Sequence, residues 1–204
     1  MASPSTAVAE RTETSARDRI LAHAADLFLI RGYAETSVRD IAKAAGIKAA
    51  SLYYHFESKD ELLAEVLNLG VKATSDGFDS GKAACDQNSS GEERLNAAIH
   101  SHLSALFEHG PFTSAAVVIF PVAPDDVKDQ VVPTRDAYEA RWEQLFKDLA
   151  DNDELNPATD LALARLVLLG ALNSTLEWFD VTGPRSVKEL ADSIAFGFWR
   201  GMKP

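Results

Sequence analysis

The sequence is poor in the residues that would commit it to a disulfide scaffold or a common enzyme class. Cys85 is the single cysteine in 204 residues, so neither an internal disulfide nor a zinc site made of cysteines can form. We expect an inert structural thiol, with a redox sensor as the alternative. No Gly-x-Ser-x-Gly elbow and no phosphate-cradling glycine loop is present, which argues against a hydrolase or a nucleotide-dependent enzyme.

Long apolar runs are also missing. A membrane-spanning helix needs roughly 18 consecutive apolar residues, and the most apolar stretch, residues 161–179, is interrupted by Arg165, Asn173 and Glu177. Residues 1–14 are polar and lack the apolar run of a secretory signal. We therefore predict a disordered N-terminal arm over residues 1–14, a cytoplasmic location and no membrane partner.

Basic residues are outnumbered, with 20 Lys and Arg against 31 Asp and Glu and a net charge of -11. The acidic excess is uneven, because residues 1–70 hold 8 Lys and Arg against 10 Asp and Glu, whereas residues 71–204 hold 12 against 21. A nucleic-acid surface in the N-terminal part therefore requires a local cluster of cations. Otherwise its affinity would be modest and sensitive to salt.

Helical periodicity is present almost everywhere, and no run alternates in the manner of a β-strand. Ile20, Ala24, Leu27 and Phe28 lie on one stripe of a first helix, and similar stripes recur towards the C-terminus. The pattern predicts an all-α fold. We divide it into a three-helix unit over residues 15–60 and a larger helical domain over residues 61–204.

Several interruptions predict where the helices of the larger domain end. Gly, Ser, Asp and Asn residues indicate a loop over about residues 80–91. A helix follows this loop, and Gly110-Pro111 is expected to end it. Pro133 either begins a helix or kinks one. The last two helices are expected near residues 161–179 and 186–202.

Residues 36–67 have the pattern of a helix, a tight glycine turn and a second helix. Ser37 is a good N-cap with Asp40 three residues later, and Gly46 supplies the turn. Small residues such as Ala42 and Ala45 let the two helices cross closely, as a helix-turn-helix requires. A second capping pattern, Ser58 with Glu61, begins a long fourth helix.

The outer face of the third helix, predicted over about residues 48–55, is short and thin at its start, so it could enter a major groove about 12 Å wide. The alanines allow close approach to thymine methyl groups, the aromatic residues reach bases or phosphates, and the N-terminus of the second helix favours a phosphate. Tyr53 could instead pack against the second helix, and Lys59 could be an ordinary surface charge. The candidate DNA-binding residues are Thr36, Ser37, Lys48, Ala49, Ala50, Ser51, Tyr53, Tyr54, His55 and Lys59.

This stretch resembles the DNA-binding signature of the TetR (tetracycline repressor) family of transcriptional regulators. The matching segments are residues 36–42, 45–47, 51–56 and 58–63, and the residues that end the first helix also fit, so the resemblance covers roughly residues 15–67. It implies an all-helical repressor whose remaining helices bind an effector and form a dimer. The run Lys48-Ala49-Ala50 departs from the Ser-Lys-Gly-like run common in the family, which leaves the operator sequence open.

The second domain offers aromatic and polar residues that could line an effector cavity, although each could equally belong to a filled core. Asn173 is the most suggestive, because an amide within a run of leucines needs a partner. Some relatives in the family sense fatty acids or acyl-CoA thioesters, which weakly favours a fatty acyl-like effector here. The candidate ligand-binding residues are His102, Phe107, Phe112, Phe120, Trp142, Phe146, Asn173, Glu177 and Trp178.

The family resemblance predicts a homodimer that pairs through the last two helices and binds a palindromic DNA operator. A ligand in the second domain would change the tilt of the fourth helix and so move the DNA-reading heads apart. We expect no cofactor and no metal, because His100, His102 and His109 lack acidic partners at ligand spacing. The alternatives are an enzyme using His102 and Glu177 as acid and base, and a helical adaptor that binds only proteins.

Overall fold

The computed structural model describes residues 15–86 and 88–204, and the arm predicted over residues 1–14 lies outside this range. The described part is helical, as the periodicity predicts, and contains no strand. Its helices are α1 (Ala16–Arg31), α2 (Val38–Ala44), α3 (Ala49–Leu52), α4 (Lys59–Ala83), α5 (Gly91–Glu108), α6 (Gly110–Val118), α7 (Asp125–Asp151), α8 (Leu161–Trp178) and α9 (Val187–Met202), with a 3-10 turn at Phe120–Val122.

Capping side chains fix the start of most helices. Ser15, Ser37, Ser90 and Ser186 each accept a hydrogen bond from the backbone three residues on, and an Asp or Glu at that position bonds back. Such capping boxes satisfy backbone N–H groups that would otherwise lack partners, and each contributes about 1 kcal/mol. The predicted cap at Ser37 is confirmed, and Ser58, the other predicted cap, accepts a hydrogen bond from the Glu61 N–H.

The small N-terminal unit of α1, α2 and α3 shares one continuous core with the larger domain through α4. Phe28, Leu52 and Phe56 fill the centre of the small unit. On α4, Leu63 and Leu67 continue this core into the second domain, where Trp142 lies against Phe78 and His102. Because α4 belongs to both cores, it is the physical connection between the two parts.

The structure corrects the predicted loop over residues 80–91. The helix α4 continues through Gly77 and Gly81 to Ala83, so the loop covers residues 84–90 and begins about four residues later than predicted. The glycines mark a close helix crossing: a Cβ at Gly77 would stand 3.0 Å from the Ala105 Cβ, and one at Gly81 would stand 2.9 Å from the Ala97 oxygen. The glycine signal was read as a loop because sequence alone cannot show which glycines face another helix.

The structure also shows where Pro111 and Pro133 lie relative to the helices. The helix α5 ends at Glu108, and Gly110 and Pro111 are the first two residues of α6. A proline in the first turn of a helix costs no hydrogen bond. Pro133 lies inside α7, a single helix, rather than at its start. Pro133 is exposed, and so is Asp129, the residue four positions earlier whose carbonyl loses its usual donor.

Candidate nucleic-acid interface and internal cavity

The connection between α2 and α3 is a tight turn built around Gly46. Gly46 has φ 69°, a left-handed conformation that favours glycine. The Ile47 N–H donates to the Ala42 carbonyl at 2.9 Å and closes the turn. Ile41 and Leu52 are fully buried on either side of it, so the inner faces of α2 and α3 are anchored and their outer faces are left free.

The outer face of α3 is strongly exposed. Regular helix covers only Ala49–Leu52, shorter than predicted, and Tyr53 to His55 follow as a turn. Tyr54 is 88% exposed and Tyr53 57%, and neither hydroxyl has a hydrogen-bond partner among the described residues. Tyr54 is held only by an edge-on contact with the His55 ring, whose centroid is 5.4 Å away. Ala50 and Ser51 are exposed beside them.

Three of the candidate DNA-binding residues have structural partners. Thr36 is fully buried and its hydroxyl donates to the Gly32 carbonyl at 2.8 Å, so its side chain does not reach the surface. Ser37 is exposed but caps α2. Lys59 donates to the carbonyls of Tyr33 at 2.9 Å and Thr36 at 3.1 Å, and its ammonium lies 4.0 Å from the centre of the Tyr33 ring. One N–H of Lys59 is left for a phosphate.

Two cations that the sequence reasoning did not select lie next to this surface. Arg39 and Lys43 are one turn apart on the exposed side of α2, and neither forms an ion pair with any residue of the described part. Lys48 is likewise exposed at the N-cap of α3. Their i, i+4 spacing on α2 was the signal that could have identified them. Arg39, Lys43 and Lys48 are thus exposed cations on, or at the cap of, the two helices of this motif.

Asp40 lies on the same helix as Arg39 and Lys43 and belongs to the cap rather than to a binding site. Hydrogen bonds from Ser37 hold the pKa of the Asp40 carboxyl below its usual value, and the nearby charges of Arg31 and Lys43 act in the same direction. Asp40 therefore stays ionised and fixes the start of α2, with its charge turned to the cap.

A cavity of about 220 Å³ lies in the second domain, between α4, α5, α6, α7 and α8, and it opens to solvent where the exposed residues Leu166 and Gly170 line it. Among the predicted ligand-binding residues, it contains His102 and Asn173. Its other lining residues were not selected from the sequence; they are Gly70, Val71, Thr74, Thr113, Ala116, Val117, Arg135, Tyr138, Glu139, Leu166, Leu169 and Gly170.

The polar end of this cavity is a chain of hydrogen bonds. The Tyr138 hydroxyl lies 2.6 Å from His102 Nδ1, and His102 Nε2 lies 3.2 Å from Asn173 Oδ1. Burial lowers the pKa of His102 to about 4, so the ring is neutral near pH 7. Burial also raises the pKa of the Tyr138 phenol, which keeps its proton. The cavity thus presents neutral hydrogen-bonding groups from these three residues.

The remaining predicted ligand-binding residues lie elsewhere. Trp142 and Phe146 are fully buried in the core. Phe107 lies against Phe179, Phe112 lines a surface groove between α4 and α5, and the ring of Phe120 lies under the Arg135 guanidinium. Glu177 and Trp178 are exposed at the end of α8. None of these seven residues lines the internal cavity.

A broad apolar face covers the outside of α8 and α9. Leu163 is 58% exposed and Phe196 57%, and only 22% of the Leu161–Trp178 helix is buried. By length and composition α8 could cross a membrane, a weak indication that the core helices of other proteins also give. A Cβ added at Gly170 or Gly197 would meet no atom within 4 Å, so this face is open to close approach.

A helix-turn-helix with a free outer face, continued by one long helix into an all-helical domain with an internal cavity, defines a DNA-binding regulator. Two family models match the chain: "Bacterial regulatory proteins, tetR family" over residues 20–66 and "Tetracyclin repressor-like, C-terminal domain" over residues 88–202. The second alone spans more than half of the chain. The chain therefore belongs to the TetR family of transcriptional regulators, a family of DNA-binding proteins rather than enzymes.

Individual relatives agree with this assignment. The chain is similar to the HTH-type transcriptional repressor KstR2 of Mycolicibacterium smegmatis, with 29% identity over 181 residues that cover 86% of this chain and 85% of KstR2. The crystal structure of the TetR family regulator PfmR from Thermus thermophilus is 29% identical, with a TM-score of 0.78 over 92% of this chain and 100% of PfmR. AibR, solved in complex with isovaleryl coenzyme A and operator DNA, shares the fold at 22% identity, with a TM-score of 0.76 over 89% of this chain and 96% of AibR.

Proposed function

We propose that the protein is a transcriptional repressor that binds a palindromic operator as a homodimer and is released by a small apolar or amphipathic effector. The exposed outer face of α3 carries this proposal. Tyr54 is 88% exposed and its hydroxyl has no partner in the described part, so both its ring and its O–H group are available to another molecule. It stands beside an exposed alanine and serine at the one position where a helix-turn-helix meets DNA.

The exposed residues of the DNA-reading head fall into two groups, one that contacts bases and one that contacts phosphates. Ala50, Ser51 and Tyr54 face the base edges in the major groove, where the small side chains permit close approach. Arg39 and Lys43 lie on the first helix of the motif, which crosses the phosphate backbone. Phosphate contacts position the head and base contacts supply its specificity, so the two groups should respond differently to salt and to operator sequence.

The apolar face of α8 and α9 fits a second copy of the chain. Contiguous exposed apolar surface of this kind marks an interface, and Leu163, Val167 and Phe196 lie on it. Gly170 and Gly197 leave room for the helices of the partner copy to come close. A two-fold axis through this face would place two reading heads on successive major grooves of one duplex, with half-sites about 34–36 Å apart.

The effector would occupy the internal cavity. At about 220 Å³ it is smaller than the roughly 300–1,000 Å³ of typical drug-sized ligand pockets, so it suits a compact molecule or the acyl part of a larger one. The acyl-CoA bound by AibR, which has the same fold, supports a short acyl group. The cavity touches both α4 and α6, and α6 packs against α1, so a ligand can displace the reading head by two routes.

Operator binding can be tested with the DNA that flanks the protein's own coding region, in a gel shift at low and moderate salt. Tyr54→Ala should lower operator affinity by at least tenfold, about 1.4 kcal/mol, while the circular dichroism spectrum stays unchanged because Tyr54 packs against so little. Val122→Ala is the matched control, since Val122 is 79% exposed in the second domain. Binding of Tyr54→Ala at wild-type affinity would refute the assignment of the α3 face.

The dimer can be tested by sedimentation equilibrium. Leu163→Glu places a charge in the centre of the proposed interface and should convert dimers into monomers, which would also weaken operator binding. Val122→Glu introduces the same charge at an apolar residue that is 79% exposed and lies outside α8 and α9, and it should remain dimeric. If the wild-type protein sediments as a monomer, or if the two variants behave alike, α8 and α9 do not form the interface.

A further inference from the structure

We infer that the effector carries a carbonyl-type acceptor oxygen, and that the side-chain amide of Asn173 donates a hydrogen bond to it. The inference deepens the proposed effector site, on which it rests, by naming the chemical group that the cavity recognises. It follows from the order of donors and acceptors along the chain of hydrogen bonds through Tyr138, His102 and Asn173, all of which line the cavity.

The direction of each hydrogen bond is fixed by its neighbours. The atom of Asn173 that lies 3.2 Å from His102 Nε2 is the oxygen Oδ1, an acceptor, so Nε2 carries the ring proton. A neutral histidine has one ring N–H, which leaves Nδ1 as an acceptor. The Tyr138 hydroxyl at 2.6 Å must therefore donate to Nδ1.

This order leaves one group without a partner. With Oδ1 turned to His102, the amide nitrogen Nδ2 of Asn173 has two N–H donors, and it forms no hydrogen bond with any residue of the described part. Asn173 is half-buried on α8 and lines the cavity. These two donors are reached by solvent, because Nδ2 is not one of the fully buried side-chain atoms without a partner, so a ligand that displaces the water must replace its hydrogen bonds or lose affinity. A ligand with an acceptor oxygen satisfies them, and a pure hydrocarbon does not.

Tyr138 and His102 act as positioning residues rather than ligand contacts in this scheme. His102 is 2% exposed and Tyr138 7%, and their shared hydrogen bond keeps the histidine proton on Nε2. If Nδ1 lost its donor, the ring proton could move to Nδ1 and the amide of Asn173 could turn over. The cavity would then present Oδ1, an acceptor, and its preference for carbonyl compounds would be lost.

Two charged residues of α7, Arg135 and Glu139, also line the cavity and lie within one turn of Tyr138 on the same helix. Arg135 lies against the Phe120 ring, with its guanidinium 4.2 Å from the ring centre, and pairs loosely with Glu139 at 3.9 Å. Glu139 in turn accepts a 2.6 Å hydrogen bond from Arg165. Because Glu139 is held by two arginines, it is not a free acceptor facing the ligand. The remaining group of this pair, the Arg135 guanidinium, is a donor and likewise favours an acceptor oxygen.

Three probes of similar size test the inference on the full-length protein by NMR chemical-shift titration: ethylbenzene, acetophenone and benzoate. Asn173→Leu should weaken acetophenone or benzoate about fivefold, the factor that corresponds to one net hydrogen bond of about 1 kcal/mol, and leave ethylbenzene unchanged or tighter. The two oxygen-bearing probes distinguish a neutral carbonyl from a carboxylate. Val117→Ala, an apolar wall residue, is the control and should change all three affinities by a similar factor.

Tyr138→Phe provides the second measurement, because it keeps the ring and removes only the donor hydroxyl. It should reduce the acetophenone affinity selectively and shift the side-chain amide resonances of Asn173, which their loss in Asn173→Leu identifies. Equal responses of ethylbenzene and the oxygen-bearing probes, or no binding of any probe up to its solubility, would overturn the inference. Operator binding without any probe is measured on the same samples, so failure of the proposed function is seen separately.

Discussion

Alanine at position 70 is the sharpest test of how α4 and α6 fit together. Gly70 lies in the middle of α4, where glycine is a poor helix former, and replacement by alanine should by propensity alone stabilise the helix by about 1 kcal/mol. The structure predicts the opposite sign. A Cβ at this position would lie 2.7 Å from the carbonyl carbon of Phe112 and 2.8 Å from the Cβ of Ala116, with the Phe112 oxygen nearer still.

The magnitude follows from what has to move. Non-bonded carbon atoms prefer about 3.5–4.0 Å, so the two helices must separate by about 1 Å. The obstructing atoms belong to the α6 backbone, which cannot rotate away as a flexible side chain can. Overpacking of this kind costs about 1–3 kcal/mol, occasionally more, and exceeds the gain in helix propensity. We expect Gly70→Ala to lower the free energy of unfolding by about 2 kcal/mol.

Urea unfolding at one fixed protein concentration measures this change, since the stability of a dimer depends on concentration. Gly77→Ala is the matched control in the same helix. Its Cβ would lie 3.0 Å from the Ala105 Cβ and 3.1 Å from the Ser101 backbone oxygen. A shift of a few tenths of an ångström relieves both contacts, so the propensity gain and the tight contacts should nearly cancel. If the two variants differ in unfolding free energy by less than about 0.5 kcal/mol, the close crossing of α4 and α6 plays no such role.

Three further predictions concern the caps and the buried polar groups. Lys59→Met removes two charged hydrogen bonds to the loop before α2 and the contact with the Tyr33 ring, and should cost about 2 kcal/mol in urea unfolding; an unchanged midpoint would contradict it. Ser37→Ala should cost about 1 kcal/mol and Ser37→Asp much less, because aspartate also caps a helix; equal losses would argue against the cap. The pKa of His102 is about 6.5 in the unfolded chain and about 4 in the folded protein. The contribution of the buried neutral ring to the free energy of unfolding is therefore fully present above pH 6.5 and is lost as the pH falls towards 4. Between pH 7.5 and 5 the wild-type protein should lose about 2 kcal/mol more than His102→Leu, and parallel stability curves would refute this.

The DNA-reading head was the part of the fold most accessible from sequence, because its signals are local. Ser37 with Asp40 and the turn at Gly46 each act within a few residues, and the structure has the expected cap and the expected turn. The exposure of Tyr54 follows from the same short pattern. Thr36 was harder, because its burial depends on carbonyls of Leu27 and Gly32 that tertiary packing brings to its hydroxyl.

The cavity was much less accessible, since five helices from distant parts of the chain form its wall. Tyr138 and Trp142 lie on one stripe of α7, and periodicity alone gives them the same role. In the structure Tyr138 borders the cavity while Trp142 fills the core behind it. Asn173 could be selected because an amide among leucines needs a partner, whereas Arg135 and Glu139 were not, because charged residues on a long helix usually face solvent.

The place of Gly70 also connects stability with regulation. Gly70 lines the cavity and at the same time leaves no room for a Cβ against Phe112 and Ala116 of α6, so a ligand that fills the cavity presses on this crossing. An alanine methyl group at this position would hold the same two helices apart whether or not a ligand is bound. If separation of α4 from α6 is what moves the reading head, Gly70→Ala should reduce operator affinity even without an effector. Adding the effector should then reduce the operator affinity of this variant only slightly further. Gly77→Ala lies outside the cavity lining and should bind the operator as the wild-type protein does. Full operator affinity in Gly70→Ala, combined with its expected loss of stability, would mean that the effector acts through another contact.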